Sequence, residues 1–330
     1  MTALPGLLPL RPYLREMVWG GQRLAELYGK PLPSGVRVGE SFEVSGYPGR
    51  QSVVAEGPLA GSGLADLAAA WGPALVGAEA WARAGHQIPL LVKLLDAQDD
   101  LSIQVHPDDA YVQSRGLPDR GKTEAWYVLH SDQGRVACGL LPGVDRAAFA
   151  AAAAAGRVSD VVRFHPVRAG DVVFLPAGAV HALCAGVVIY EVQQPSDVTF
   201  RVYDYDRPGL DGQPRELHLE QAMEVIDFGS PGPAPIAADP VAPAGRSLVE
   251  LVRCPYFTLS LACADMAGQY HPETCGCRSV TVVEGAALME SGAHSCRVAA
   301  GATVLVPAAR PFHVHAVAAG GCRYLVAAVE

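Results

Sequence analysis

One segment constrains this chain more than any other: Gly170-Asp-Val-Val-Phe-Leu-Pro-Ala-Gly-Ala-Val-His181. Asp171 to Leu175 reads as a strand, Pro176 and Gly178 set a tight turn, and His181 falls on the strand that leaves it. A second stretch, Leu101-Ser-Ile-Gln-Val-His-Pro107, carries Gln104 and His106 two apart in a run of β-formers. Side chains alternate across a strand, so an i, i+2 pair projects from one face. Gly121-Lys-Thr-Glu-Ala-Trp-Tyr-Val-Leu129 repeats that spacing with Lys122 and Glu124. Gln104, His106, Glu124 and His181 together offer an amide oxygen, two imidazoles and a carboxylate. This mixed N/O set suits Zn²⁺ or a similar divalent ion.

The Gly-x5-Pro-x-Gly-x2-His element resembles the second sequence motif of the cupin fold, a small β-barrel with an internal metal site. The first cupin motif normally supplies His-x-His and then Glu; here Gln104-x-His106 and Glu124 stand in its place. That substitution is similar to the type I mannose-6-phosphate isomerases, also called phosphomannose isomerases. Leu-Ser-Ile-Gln-Val-His-Pro-Asp, Gly-Lys-Thr-Glu-Ala-Trp-Tyr and Pro-Ala-Gly-Ala-Val-His-Ala-Leu look like that family's metal-site signatures. Glu191 to Arg207 resembles its arginine-bearing signature in the short bacterial form. The likeness runs from Val18-Trp-Gly-Gly21 to about Ile226 and thins beyond.

The resemblance implies a mainly β fold of two cupin (jelly-roll) domains, with helical insertions in the N-terminal half. Residues 1–228 are expected to form the catalytic domain, with insertions near 62–85 and 144–155. A proline-rich linker is expected over 229–245 and a degenerate cupin without metal over 246–330. The implied activity interconverts mannose 6-phosphate and fructose 6-phosphate through an enediol at one Zn²⁺ per chain. The implied ligands are Gln104, His106, Glu124 and His181. Lys122, two residues before Glu124, points into the same interior beside a cation, a setting that favours acid/base work; the family's matching lysine is catalytic. Arg201 matches the arginine over the sugar, and Glu191 matches an acidic residue near the reacting carbons. The proton-transfer base stays open between Lys122 and Glu191. Ser102 and Arg207 match positions that hold the phosphate; the bland reading of Arg207 is a pair with Asp204 or Asp206. Long-form members carry a histidine before the catalytic lysine, where this chain has Gly121.

Composition removes other classes. Among 330 residues the net charge is −9, with no Lys/Arg cluster to match a nucleic-acid backbone. The apolar N-terminus is short and broken by proline, and no run of 18 apolar residues exists. A cytoplasmic protein without a membrane partner, monomeric or homodimeric, is expected. Eight scattered cysteines read as reduced thiols.

The Ala-rich stretch from Val144 and the segment from Ser62, with Ser62 as N-cap, read as helices. Glu40 and Glu43 fall on opposite strand faces and read as a solvated edge. From Arg246 the sequence reads as strands only. There Gly301-Ala-Thr-Val-Leu-Val-Pro307 echoes Gly170 to Pro176, but Ala309 replaces the motif glycine and His313 arrives one residue late. His313 and His315 therefore read as structural. The alternatives are a non-isomerase metal cupin, namely an iron oxygenase, and an idle sugar-binding protein. Gln104 would fill a position that iron oxygenases leave open, and Lys122 with Arg201 argues against an idle site.

Overall fold

A computed structural model describes residues 4–237 and 248–329 of the chain. The protein is mainly β, as expected, and every strand pairing is antiparallel. Most strands lie in two seven-stranded sheets, each backed by a smaller one. The first large sheet runs in the order Ile236–Ala237, Asp171–Leu175, Glu124–Ser131, Val187–Gln193, Leu91–Ala97, Val38–Val44 and Tyr13–Gly21. It faces a five-stranded sheet of Phe200–Tyr203, Ile103–Val105, His181–Leu183, Arg135–Leu140 and Val162–Pro166.

Alternation along the central strands decides what each face carries. Leu95 and Ala97, Trp126 and Val128, and Val187 and Ile189 pack toward the five-stranded sheet, with Val136 and Leu183 opposite. Val92 and Leu94, Tyr127, and Tyr190 and Val192 pack the other way, into a core shared with the second large sheet. Both faces are buried, so these strands read as nearly continuous apolar runs. Lys93, Glu124 and Glu191 occupy the parity that faces the five-stranded sheet. Charged groups in such positions need partners, because an unpaired buried charge is expensive.

The second large sheet runs Leu248–Arg253, Thr258–Ala264, Cys322–Ala328, Arg278–Glu284, Thr303–Val306, Leu8–Arg11 and Val53–Val54. Its partner is a four-stranded sheet of Gln269–His271, Phe312–Ala316, Ala286–Ser291 and His294–Ala299. The N-terminal strand thus joins the C-terminal sheet, Leu8 opposite Leu305 and Leu10 opposite Thr303. The expected division between 1–228 and 246–330 is crossed by this pairing. Of the expected linker, residues 238–245 lie outside the described residues. Beyond 247 the described residues hold strands and no helix, as expected.

The helical insertions cover the expected places with different ends. Leu64–Trp71, Pro73–Val76 and Ala78–Arg83 are three short helices, broken at Gly72 and Gly77. Gly63, not Ser62, is the first N-cap and makes no side-chain cap. Arg146–Ala154 is capped by the Asp145 carboxylate, which accepts from the Ala148 N–H at 2.8 Å. Glu40 and Glu43 point to opposite faces, but neither is solvated. Glu43 is fully buried and bonded by Lys30 and Ser41 at 2.6 Å each and by Thr303 at 3.2 Å. No disulfide forms among the eight cysteines. No helix of the described residues is long and apolar enough to cross a membrane.

Candidate active site

Strand register brings the predicted ligands together. Gln104 lies directly opposite His181 on one side and Arg201 on the other. Glu124 reaches them from the large sheet across the interior. Its carboxylate lies 3.2 Å from His181 Nε2 and 3.6 Å from His106 Nε2. The side-chain nitrogen of Gln104 is 3.5 Å from His106 Nε2 and 3.3 Å from His181 Nε2.

Three features of this cluster fit a divalent ion. Each histidine directs Nδ1 at a backbone carbonyl, His106 to Val198 and His181 to Ala179, both at 2.9 Å. A carbonyl only accepts, so Nδ1 carries the proton and each Nε2 presents a bare lone pair to the shared space. Both oxygens of Glu124 are buried and make no well-aligned hydrogen bond; the Lys122 ammonium lies beside Oε2 at 3.0 Å. A half-turn of the Gln104 amide gives its NH₂ to Ser102 Oγ, now 3.4 Å from Oε1, and turns the carbonyl oxygen inward. Donor atoms of His106, Glu124 and His181 all lie within 4.8 Å of one another.

Charge state follows from the same packing. Burial alone would raise the Glu124 pKa, but Lys122, His106 and His181 outweigh it and hold the carboxyl ionised, well below its usual range. Burial, with Lys122 beside it, pushes His106 well below the usual imidazole value, so it stays neutral. Lys122 contacts Glu124 Oε2 at 3.0 Å, confirming that the two residues point the same way.

Ser102, Gln104, Lys122, Glu191 and Arg201 line one cavity of about 530 Å³. His106, Glu124 and His181 do not line it; they lie behind Gln104 and Lys122, each 2% exposed or less. Glu191 Oε2 accepts the Trp126 indole N–H at 3.0 Å, while Oε1 is buried without a hydrogen bond. Burial raises the Glu191 pKa and Glu124 adds to it, against Lys93 and Lys122. Arg201 donates Nε to Ser102 Oγ at 3.3 Å and Nη1 to the Glu216 carbonyl at 2.8 Å. Burial and the charge of Arg215 lower its pKa from the usual guanidinium value.

Arg207 lies elsewhere. It pairs with Asp204 at 2.8 Å and is not part of the cavity wall, the bland alternative for this residue. Arg15, Glu40, Lys93 and Arg215, which sequence reasoning did not assign, do line the cavity. Lys93 bridges Glu40 at 3.1 Å and Glu191 at 3.5 Å. Burial alone would lower its pKa; Glu40 and Glu191 raise it instead. The signal was a lysine inside the apolar run Ile88 to Leu95. Such a residue needs a buried counter-charge.

Gly121 has a local cause. A Cβ built there would meet backbone atoms of Asp109 and Asp108 at 2.4 and 2.5 Å. The short helix Asp109–Ser114 packs against this position and leaves no room for a histidine side chain.

Residues 7–139 match the family described as phosphomannose isomerase type I, catalytic domain. The probable mannose-6-phosphate isomerase GmuF of Bacillus subtilis is 41% identical over 220 residues, 66% of this chain and 67% of its own length. The mannose-6-phosphate isomerase of Streptococcus mutans is 36% identical over 252 residues, 76% of each chain. The crystal structure of the mannose 6-phosphate isomerase from Bacillus subtilis superposes with a TM-score of 0.86 and 28% identity. That match covers 98% of this chain and 100% of the other. With the His106, Glu124 and His181 cluster able to hold a metal ion, the catalytic-domain match and these relatives in agreement, the chain belongs to the type I mannose-6-phosphate isomerase family.

Proposed function

We propose that the protein interconverts mannose 6-phosphate and fructose 6-phosphate at a site holding one Zn²⁺ on Gln104, His106, Glu124 and His181. The observation that carries this reading is the convergence of an amide, two imidazoles and a carboxylate next to a cavity lined by Lys122, Glu191 and Arg201. Isomerisation moves a proton between C2 and C1 while the carbonyl shifts, through an enediol(ate). It needs a proton-transfer group, stabilisation of the oxygens and an anchor for the phosphate. When bound, a divalent ion supplies fixed positive charge that favours an anionic intermediate.

The chain's own groups supply the rest. Glu191 is held by the Trp126 N–H on one oxygen and keeps the other free of hydrogen bonds. Its raised pKa brings it nearer the range in which a carboxyl exchanges protons at neutral pH. Lys122 offers an ammonium on the same wall. These two form the proton-transfer pair. Arg201, fixed by Ser102 and the Glu216 carbonyl, presents its charge to the developing oxyanion. Ser102 also serves the phosphate end.

A coupled isomerase assay on purified protein, with metal analysis before and after a chelator, tests this reading. Isomerisation lost with the metal and regained on adding Zn²⁺ is expected. Full activity in metal-free protein, or none toward either sugar phosphate, would contradict it.

A further inference from the structure

Between Tyr203 and Leu219 the chain leaves the five-stranded sheet and makes a small hairpin, Pro208 pairing with Pro214 and Gly209 N–H bonding the Gln213 carbonyl at 2.7 Å. Gly209, Leu210, Asp211 and Arg215 of this hairpin line the active-site cavity. Its root is Asp204, 5% exposed, whose carboxylate accepts from two guanidiniums. Arg207 and Arg215 bond this one buried carboxylate, and Arg201 lies near enough to feel the charges of all three.

The two guanidiniums on Asp204 are used differently. Arg207 commits every nitrogen, with Nε and Nη2 on Asp204 and Nη1 on the Asp100 carbonyl. Arg215 gives Nε and Nη2 to Asp204, at 2.7 Å for Nε. Among the described residues nothing bonds its Nη1, and the residue lines the cavity that Ser102 and Arg201 also line. Two consecutive non-glycine residues, Tyr205 and Asp206, adopt φ of +59° and +51° at the root of the hairpin. Such backbone is unfavourable and persists only where surrounding contacts enforce it. Here the Asp204 clamp supplies those contacts.

We propose that Arg215, rather than Arg207, is the guanidinium that binds the substrate phosphate, and that Asp204 and Arg207 are positioning residues that hold it over the cavity. This rests on the sugar-phosphate reading above. A phosphate dianion takes the free edge of Arg215 and the Ser102 hydroxyl, while Asp204 keeps the opposite edge of the guanidinium oriented. Carboxylate-clamped arginines lose little side-chain freedom on binding, which favours affinity.

The test measures KM for mannose 6-phosphate and the inhibition constant of inorganic phosphate, supported by calorimetry of phosphate binding to the zinc-loaded enzyme. Arg215→Met should raise both constants by roughly 10–100-fold, the usual worth of a charge-assisted contact, with kcat changed by no more than about three-fold. Arg215→Lys should recover part of the loss. Arg207→Met should weaken both constants less than Arg215→Met does, because Arg215 still satisfies Asp204. Unchanged phosphate inhibition in Arg215→Met, or a larger loss in Arg207→Met, would overturn the proposal. If Arg215→Met fails to fold, Arg215→Lys and Arg207→Met decide the same comparison. Failure of the isomerase reading is separately visible as a wild-type enzyme that does not turn over mannose 6-phosphate, whereas phosphate calorimetry still reports on Arg215.

Discussion

The turn Pro176 to His181 and the turn Pro307 to Phe312 follow the same kind of strand and differ in register by one residue. In the first, the fifth residue after proline is His181, buried and aimed at Glu124. In the second, that place belongs to Phe312, equally buried, and His313 comes next on the exposed face. Because side chains alternate, a shift of one residue turns a potential ligand outward. The interior that would have held a metal is filled by Val280, Val282, Met289, Phe312, Val314 and Tyr324. His271 is buried there, but it bonds the Tyr324 hydroxyl at 2.7 Å and stacks on Phe312. The same architecture thus supports either a donor cluster or an apolar core, and the choice rests on which residue takes the inward position.

Exchanging roles at that position should give the largest effects. His181→Ala removes one proposed ligand from a buried cluster, so metal content and isomerase activity should each fall by roughly 100-fold or more, beyond the loss expected for supporting residues. His313→Ala with His315→Ala should leave both unchanged in the same assays. Metal analysis that reversed this order would break the comparison.

The seam between the two large sheets comes next. Lys30 and Glu43 form a buried pair that also receives Thr303 from the C-terminal sheet. Lys30→Met strands a carboxylate of 0% exposure and should cost about 3–5 kcal/mol in denaturant unfolding. A loss below about 1 kcal/mol, the value of an exposed pair, would mean that water reaches the seam.

A smaller, pH-dependent effect distinguishes the buried histidine of the C-terminal half. Burial, then the nearby charges of Arg278 and His313, lower the His271 pKa to about 4. A histidine lowered in the folded state favours the neutral form. Its contribution is therefore present above the unfolded value near 6.5 and is lost as the pH falls from there toward 4. Urea midpoints at pH 7.5 and 5.0 should differ more in wild type than in His271→Gln. An equal drop in both proteins would assign the acid sensitivity to other groups, such as the carboxylates of Glu40 and Asp197.

The smallest effect lies in the turn itself. Ala309 adopts φ of +54° where the first turn has Gly178 at +87°. A left-handed residue with a Cβ costs about 1–2 kcal/mol, so Ala309→Gly should stabilise by up to that amount. Gly178→Ala should destabilise, since its Cβ would also come within 3.0 Å of the Val225 carbonyl. Thermal melts of the two variants moving in the same direction would refute this reading of the turns.

The cluster of Gln104, His106, Glu124 and His181 was legible because it depends on local spacing. Gln104 and His106, Lys122 and Glu124, and the Pro-x-Gly turn before His181 each fix orientation within a few residues. What was not legible depends on pairing between distant segments. Lys93 faces Glu191 because those two residues are register partners on neighbouring strands, and nothing in either segment alone reveals it. Glu40 and Glu43 looked like a sheet edge, whereas strands on both sides and the second large sheet bury them. Leu8–Arg11 joins a sheet formed by residues some 300 positions later, Leu8 pairing with Leu305. Arg207 and Arg215 are four and twelve residues from Tyr203, and only the hairpin's fold separates the one saturated by Asp204 from the one that faces the cavity.

The central claim is that one metal site, in the first pair of sheets only, runs the isomerisation. Titrating Zn²⁺ into metal-free enzyme while following mannose 6-phosphate turnover tests it most directly. Activity should rise linearly and saturate at one equivalent per chain. Turnover without added metal, or a rise that continues to a second equivalent, would contradict the account.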